Sequence, residues 1–214
     1  MTKVRTEKAP LDIVLEASLT LAASKPWRDV TLQEIADAAS LNLSDLYGVT
    51  DKSKLVVELE PWADKAMSAE KADMTEAPRE RLFDSIMRRF EYLEVHRAGV
   101  LSMLKGRSTQ NIANLVKARR QTAAWAITAS ALDTGEPMKV AAQTLGLIRV
   151  ITQTENAWRT DDAGDYARTM AVLDAGLIEL EERLGQFSKF SSRFRPRGAT
   201  SSQPEAPQAE TSKG

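Results

Sequence analysis

Hydrophobic residues recur along most of the chain at the three- and four-residue spacing of amphipathic α-helices. No convincing stretch shows the strict apolar-polar alternation of a half-buried strand. The pattern therefore predicts an all-α fold of about nine helices. The expected helices cover about 11–24, 31–38, 43–47, 51–62, 78–95, 97–105, 109–132 and 138–158, with a ninth after residue 164.

The second and third predicted helices are short and separated by a tight turn. Thr31 is followed three residues later by Glu34, which is the arrangement of a capping box at a helix start. Residues 40–42 form the turn, and Gly48 can end the helix that follows. Two short helices joined in this way have the spacing of a DNA-reading helix-turn-helix.

The ninth helix carries a regular apolar seam in which the steps alternate between three and four residues. Such a heptad seam packs along another helix. One interpretation is core packing within the chain, and the other is a dimer interface shared with small residues of the eighth helix. We favour the dimer, with these interface residues: Leu145, Ile148, Met170, Leu173, Leu177 and Leu180.

Composition narrows the possible function classes. The 214 residues suit one domain or a small unit fused to a larger one, and the net charge of −1 provides no global attraction to nucleic acid. There is no cysteine, one histidine (His96), no glycine-rich phosphate loop and no metal-ligand spacing. No apolar run approaches the roughly 20 residues of a membrane span. We therefore expect a cytoplasmic protein that is not an enzyme and needs no metal or cofactor.

The N-terminal segment resembles the TetR family of bacterial transcriptional regulators. The matching stretches are LDIVLEASLTLAASKPW (11–27) and VTLQEIADAASLNLSDLY (30–47), followed by Lys52 and Leu55. The resemblance implies a homodimer that binds a palindromic double-stranded DNA operator and responds to a small ligand. It also implies that these residues contact DNA: Thr31, Gln33, Asn42, Leu43, Ser44, Tyr47 and Lys52.

Three features depart from that family. Ser40 occupies a turn position where the family usually has glycine, so a left-handed conformation there would be strained. The stretch from Tyr47 to Lys52 is one residue shorter than usual and lacks a phenylalanine. Between Arg28 and Lys52 there are five acids and no base. Asp45 within the reading helix either faces the DNA, where it suits a cytosine amino group, or stabilises the helix dipole.

In TetR-like folds the larger half usually encloses a ligand pocket, which here implies an apolar or amphipathic ligand. Two tryptophans are the best candidates because a buried indole N–H needs a partner. Ordinary core packing is the alternative for each apolar residue. The candidate pocket residues are Met87, Phe90, Met103, Gln121, Trp125, Glu155 and Trp158.

A second resemblance gives the rival function. Residues 79–104 and 157–184 are similar to a ubiquinone-biosynthesis accessory family that shares the TetR-like fold. That family uses the larger half to hold an isoprenoid lipid and does not need DNA.

We expect three regions: a helix-turn-helix unit at 1–56, a ligand-binding and dimerisation unit at 57–187, and a basic segment with a disordered tail at 188–214. Residues 188–197 (SKFSSRFRPR) carry four bases, two phenylalanines and no acid. This segment is either a solvated end or a contact with an anionic surface, such as nucleic acid or a peripheral membrane contact.

Overall fold

The computed structural model describes residues 10–106, 112–134, 136–161 and 164–193. Within these ranges every regular element is a helix, so the predicted all-α fold is confirmed. Two 3₁₀ helices, Trp27–Asp29 and Lys65–Ser68, accompany the α-helices. The α-helices are α1 (Pro10–Ser24), α2 (Leu32–Ala38), α3 (Leu43–Leu46), α4 (Lys52–Asp64), α5 (Pro78–Val95), α6 (Arg97–Lys105), α7 (Ile112–Ala129), α8 (Pro137–Arg159) and α9 (Ala167–Arg193).

Local signals in the sequence set several helix ends. Pro78 and Pro137 are the first residues of α5 and α8, where the missing amide hydrogen costs nothing. His96 separates α5 from α6, as predicted. The capping box at α2 is also present: the amide of Glu34 donates to Thr31 Oγ1 at 3.2 Å, and the amide of Thr31 donates to Glu34 Oε2 at 2.8 Å.

Helices α1 to α3 form a small unit, which we call the reading head. Ser40 has a φ of 56°, a left-handed conformation that favours glycine. The next residue, Leu41, donates its amide to the carbonyl of Ala36 at 2.9 Å, which closes the turn between α2 and α3. The departure at Ser40 therefore leaves the turn geometry intact but holds a non-glycine residue in a disfavoured region.

One hydrophobic core runs through the reading head and the remaining helices, which we call the body. Helix α4, the first helix of the body, buries Leu55, Leu59 and Trp62 in this shared core. The expected boundary at residue 56 thus falls inside α4. Helix α6 lies directly on α1, because a Cβ on Gly99 would approach the carbonyl oxygen of Leu19 to 2.2 Å. Head and body are therefore in tight contact.

The heptad seam of α9 packs inside the chain. Leu173, Leu177 and Leu180 are all buried in the core of the single chain, with exposures of 0%, 2% and 7%. A Cβ on Gly146 of α8 would meet Leu180 Cδ1 at 2.2 Å, so α8 and α9 approach closely there. The predicted dimer interface is corrected at these three leucines, because they are buried within the single chain, as the core-packing alternative expects.

Helix α9 continues to Arg193, beyond the expected end of the helical unit at residue 187. The predicted disordered tail at 198–214 lies outside the described residues. The predicted surface contact of 188–197 also lies outside what the structure describes, apart from the helical backbone of residues 188–193. None of the described helices is long and apolar enough to cross a membrane.

Candidate DNA-reading surface and ligand cavity

The reading head exposes most of the side chains predicted to contact DNA. Ile35 and Ala36 of α2 and Leu46 of α3 are buried, which fixes the two helices against α1. Tyr47 follows α3 directly and is 91% exposed. The other exposed candidates are Thr31, Gln33, Asn42, Leu43 and Ser44. The fold therefore collects six of the seven predicted residues on the surface of the α2-turn-α3 unit.

Lys52 is the exception. Its Nζ donates hydrogen bonds to the carbonyls of Trp27 (2.6 Å), Arg28 (3.1 Å) and Val30 (2.6 Å), and lies 4.8 Å from the centre of the Trp27 ring. Partial burial lowers the pKa of Lys52. The ammonium group is thus committed to holding the 3₁₀ turn that leads into α2. The prediction of a direct DNA contact by Lys52 is corrected, because its donors are already used within the chain.

Several acids of the reading head have structural partners. Asp45 Oδ2 accepts from the backbone amide of Asn42 at 2.8 Å, so this carboxylate caps the start of α3. Glu34 lies 2.5 Å from Lys25 Nζ, and this bond, together with those from Thr31, lowers the pKa of Glu34 from 4.5 to about 2. The helix-stabilising alternative for Asp45 thus accounts for its position in the reading helix.

A cavity of about 430 Å³ lies between α4 and α7. Trp125 and Gln121 of α7, both predicted as ligand contacts, line it. Trp125 is 42% exposed, so part of its apolar surface is accessible. The remaining residues of the α7 wall are Ala124 and Thr128. The opposite wall consists of Pro61, Asp64, Lys65 and Ser68.

The other five predicted ligand residues do not line this cavity. Met87, Phe90 and Met103 are buried core residues. Trp158 is completely buried, and its Nε1 donates to Glu94 Oε2 at 2.7 Å. Their side chains lie in the interior of the body, where Trp158 lines a space of only about 10 Å³, so a ligand pocket at these four positions stays a prediction.

Glu155, the fifth residue, belongs to a buried ionic network. It pairs with Arg119 of α7 and with Arg159 of α8. Arg119 also contacts Glu60 of α4 at 2.9 Å, so the network joins three helices. A buried charged group without its partner is strongly destabilising. The role of Glu155 is therefore structural, and the prediction of a ligand contact is corrected.

The same network continues to α5 through Arg89, which is 2% exposed. Its guanidinium contacts Glu60 at 2.6 Å and Asp64 at 2.9 Å. Thr122 Oγ1 also donates to Asp64 Oδ2 at 2.8 Å. Burial raises the pKa of Asp64 in spite of the nearby Arg89 charge. Asp64 is thus both a wall of the α4-α7 cavity and an anchor of α4 in the body.

A second cavity, which the sequence analysis missed, has a volume of about 500 Å³ and lies among α5, α8 and α9. Leu177 and Leu180 line it, so part of the α9 seam faces this space. The seam in the sequence signalled a packing surface but not a cavity. The other lining residues are Pro78, Arg79, Leu82, Leu132, Lys139, Val140, Gln143, Glu181, Leu184 and Gly185.

The outer face of α8 and α9 exposes several apolar side chains. Leu145 is 66% exposed and Met170 is 38% exposed, whereas Ile148 is half-buried. Met138 and Ile178 add to this apolar surface. Three of the six predicted interface residues are thus accessible to a partner. Among the described residues, no cluster of histidines and acids could hold a metal ion.

Solved structures with the same fold are TetR transcriptional regulators. One from Rhodococcus sp. RHA1 is 18% identical, with a TM-score of 0.58 over 82% of this chain and 97% of that chain. One from Nitrosomonas europaea ATCC 19718 is 21% identical, with a TM-score of 0.62 over 80% and 97%. A tetR-family regulator from Streptomyces coelicolor is 17% identical, with a TM-score of 0.56 over 86% and 85%.

No protein-family model matches the sequence, and no curated protein matches it. The similarity to the three solved structures extends over head and body together. The resemblance inferred from residues 11–55 is therefore confirmed at the level of the fold.

Proposed function

We propose that the protein is a homodimeric DNA-binding transcriptional regulator that responds to a small apolar or amphipathic ligand and acts in the cytoplasm. The observation that carries the proposal is the capped α2-turn-α3 unit, which exposes six predicted contact residues in a chain with the fold of TetR regulators. The unit is held against α1 by buried side chains, so it can enter a groove as a rigid body.

DNA binding by this head relies mainly on uncharged donors. Phosphates can be held by hydroxyls and backbone amides as well as by cations. Tyr47 and Ser44 present hydroxyls at the exposed end and middle of α3, and Lys54 is an exposed cation near the start of α4. Because α1 to α3 carry few exposed lysines and arginines, affinity should fall less steeply with salt than it does for strongly basic DNA-binding proteins.

Dimerisation through the outer face of α8 and α9 would present two heads to one duplex. Leu145 and Met170 are the predicted contacts that remain accessible, and Met138 and Ile178 extend the same surface. A two-fold dimer requires a palindromic operator, with half-sites about one helical turn (~34 Å) apart.

The α4-α7 cavity is the proposed ligand site. Trp125 offers an apolar face and Gln121 an amide, which suits a ligand with an apolar body and one polar group. The α4 wall of the cavity contains Asp64, anchored to Arg89 in the body, and Lys65, whose Nζ lies 2.6 Å from Asp12 of α1. A ligand that displaces either side chain would change how α4 holds the head.

The alternative function is lipid binding without DNA binding. The observation that favours it is the leucine-lined cavity of about 500 Å³ among α5, α8 and α9, which could take part of an isoprenoid chain. This alternative leaves the exposed residues of the reading head without a role, so we rank it second.

The test is selection of sheared genomic DNA on the purified protein at low salt, with stepwise elution at rising salt and sequencing. We expect discrete palindromic fragments that resist moderate salt. Tyr47→Ala should lose them, whereas Tyr47→Phe should lose only the hydroxyl contact. Both variants should fold, because the side chain is 91% exposed. Diffuse fragments eluted at the first step would reject DNA regulation, and lipids extracted from the protein would then support the alternative.

A further inference from the structure

Most hydrogen-bonding side chains on the reading head already have a partner within the chain. Gln33 Nε2 donates to Asp37 at 2.8 Å, and Asn42 Nδ2 donates to Asp45 at 3.3 Å. Thr31 Oγ1 donates to Glu34 at 3.0 Å. Each internal bond uses one donor of the side chain and restricts its orientation, while the amides of Gln33 and Asn42 keep an oxygen and a second N–H.

The side chain at the start of α3 is apolar and accessible. Leu43 is the first residue of α3 and is 43% exposed, whereas Leu46 in the same helix is buried. The N-terminal residues of the second helix in a helix-turn-helix contact the base edges in the major groove. In that groove the apolar group on an ordinary base pair is the 5-methyl group of thymine.

We propose that Leu43 reads thymine through its 5-methyl group, and that a thymine at a fixed position in each half-site determines specificity. The inference rests on the proposed DNA-binding function.

The experiment uses a duplex obtained from the genomic selection, in which each thymine is replaced in turn by deoxyuridine. This replacement removes the methyl group and keeps the base pairing. Removing one buried methyl group should weaken binding about fourfold, from the usual value for burial of one such carbon. The same replacement in the flanks of the duplex is the matched DNA control and should change nothing.

The variant Leu43→Ala tests whether Leu43 is the residue that contacts the methyl group. The variant should bind more weakly than the wild-type protein and should no longer distinguish thymine from deoxyuridine at the sensitive position. Val95→Ala, which also shortens an exposed apolar side chain but lies at the end of α5, should retain the discrimination.

The outcomes separate the two proposals. Loss of discrimination only in Leu43→Ala supports methyl readout by Leu43. Specific binding that no deoxyuridine replacement weakens overturns methyl readout and leaves DNA regulation in place. A methyl effect that persists in Leu43→Ala overturns the assignment to Leu43. Absence of any specific duplex in the selection overturns the inference together with the function on which it rests.

Discussion

Replacing Lys52 by methionine tests whether this lysine holds the reading head together or binds DNA. Methionine keeps an unbranched apolar side chain and has a helix propensity similar to that of lysine. The substitution removes three hydrogen bonds from Nζ to the carbonyls of Trp27, Arg28 and Val30, as well as the contact with the Trp27 ring. The 3₁₀ turn before α2 then loses its main side-chain support.

The size of the effect follows from these bonds. A hydrogen bond from a charged donor contributes roughly 1.5–3 kcal/mol, and three of them set an upper limit. Water can replace part of what is lost, because Lys52 is only half-buried. The freed side chain also regains up to about 2 kcal/mol of conformational entropy that the lysine lost on ordering. We therefore expect a net loss of about 2–3 kcal/mol in the free energy of unfolding.

Lys54→Met is the matched control. Lys54 lies in the same first turn of α4, has the same charge and is exposed. Its backbone amide, which bonds to Asp51, is unaffected by the side chain. Surface substitutions of this kind change stability by no more than about 0.5 kcal/mol.

Urea unfolding followed by far-UV circular dichroism measures both variants. Equal stabilities of Lys52→Met and Lys54→Met would refute the structural role of Lys52. The DNA affinity of Lys54→Met should depend less steeply on salt than that of Lys52→Met. If Lys54 neutralises a phosphate, the slope of log affinity against log salt concentration should be smaller by about one unit.

Three further predictions concern stability. Ser40→Gly should stabilise the protein by about 0.5–1 kcal/mol, because glycine adopts the φ of 56° without strain; Ser40→Ala should give no such gain in urea unfolding. Arg89→Met should cost about 3–5 kcal/mol at neutral pH, since buried Asp64 loses its cationic partner while Glu60 keeps only Arg119 of its two arginines, and a deficit that did not shrink in acid would contradict this explanation. Glu34, with its pKa lowered from 4.5 to about 2, contributes stability that is complete above pH 4.5 and lost towards pH 2. In Glu34→Gln the midpoint of urea unfolding should therefore fall less as the pH is lowered from 4.5 towards 2. An equal fall of the midpoint in the variant and the wild-type protein would exclude that contribution.

Local chemistry made much of the fold predictable. The capping box at Thr31, the proline at the start of α5 and the break at His96 depend on neighbouring residues only, and each was confirmed. For Ser40, it was the resemblance to a family with glycine at that turn position that raised a left-handed conformation, and its φ is 56°. Such signals depend on residues that are close in sequence, so they do not depend on the tertiary packing of the rest of the chain.

The body was less predictable because packing partners are not encoded locally. A heptad seam indicates that a helix packs along another, but not whether that helix belongs to the same chain. Leu173 and Leu177 are buried within their own chain. For the ligand site, Trp125 and Trp158 looked equivalent in sequence, and only the fold separated an exposed indole from a buried one bonded to Glu94.

The acids in and next to the reading head have structural partners, which a count of charges in the sequence does not show. Residues 1–55 contain seven bases and eight acids, a balance of 7 − 8 = −1. Asp45 and Asp51 accept from backbone amides at the starts of α3 and α4, where the partial positive charge of the helix terminus offsets the carboxylate. Glu34 is offset by Lys25, and Asp12 by Lys65.

These acids stabilise the geometry of the head at the expense of its attraction to phosphate. Under the proposed function we expect this head to have a low non-specific affinity for DNA, because that affinity comes almost entirely from phosphate neutralisation. Its preference for an operator must then come from contacts with the bases and from the second head of a dimer. Because α1 to α3 carry few exposed cations, we expect under the proposed function that the ratio of specific to non-specific binding changes little with salt, even where the absolute affinities are modest.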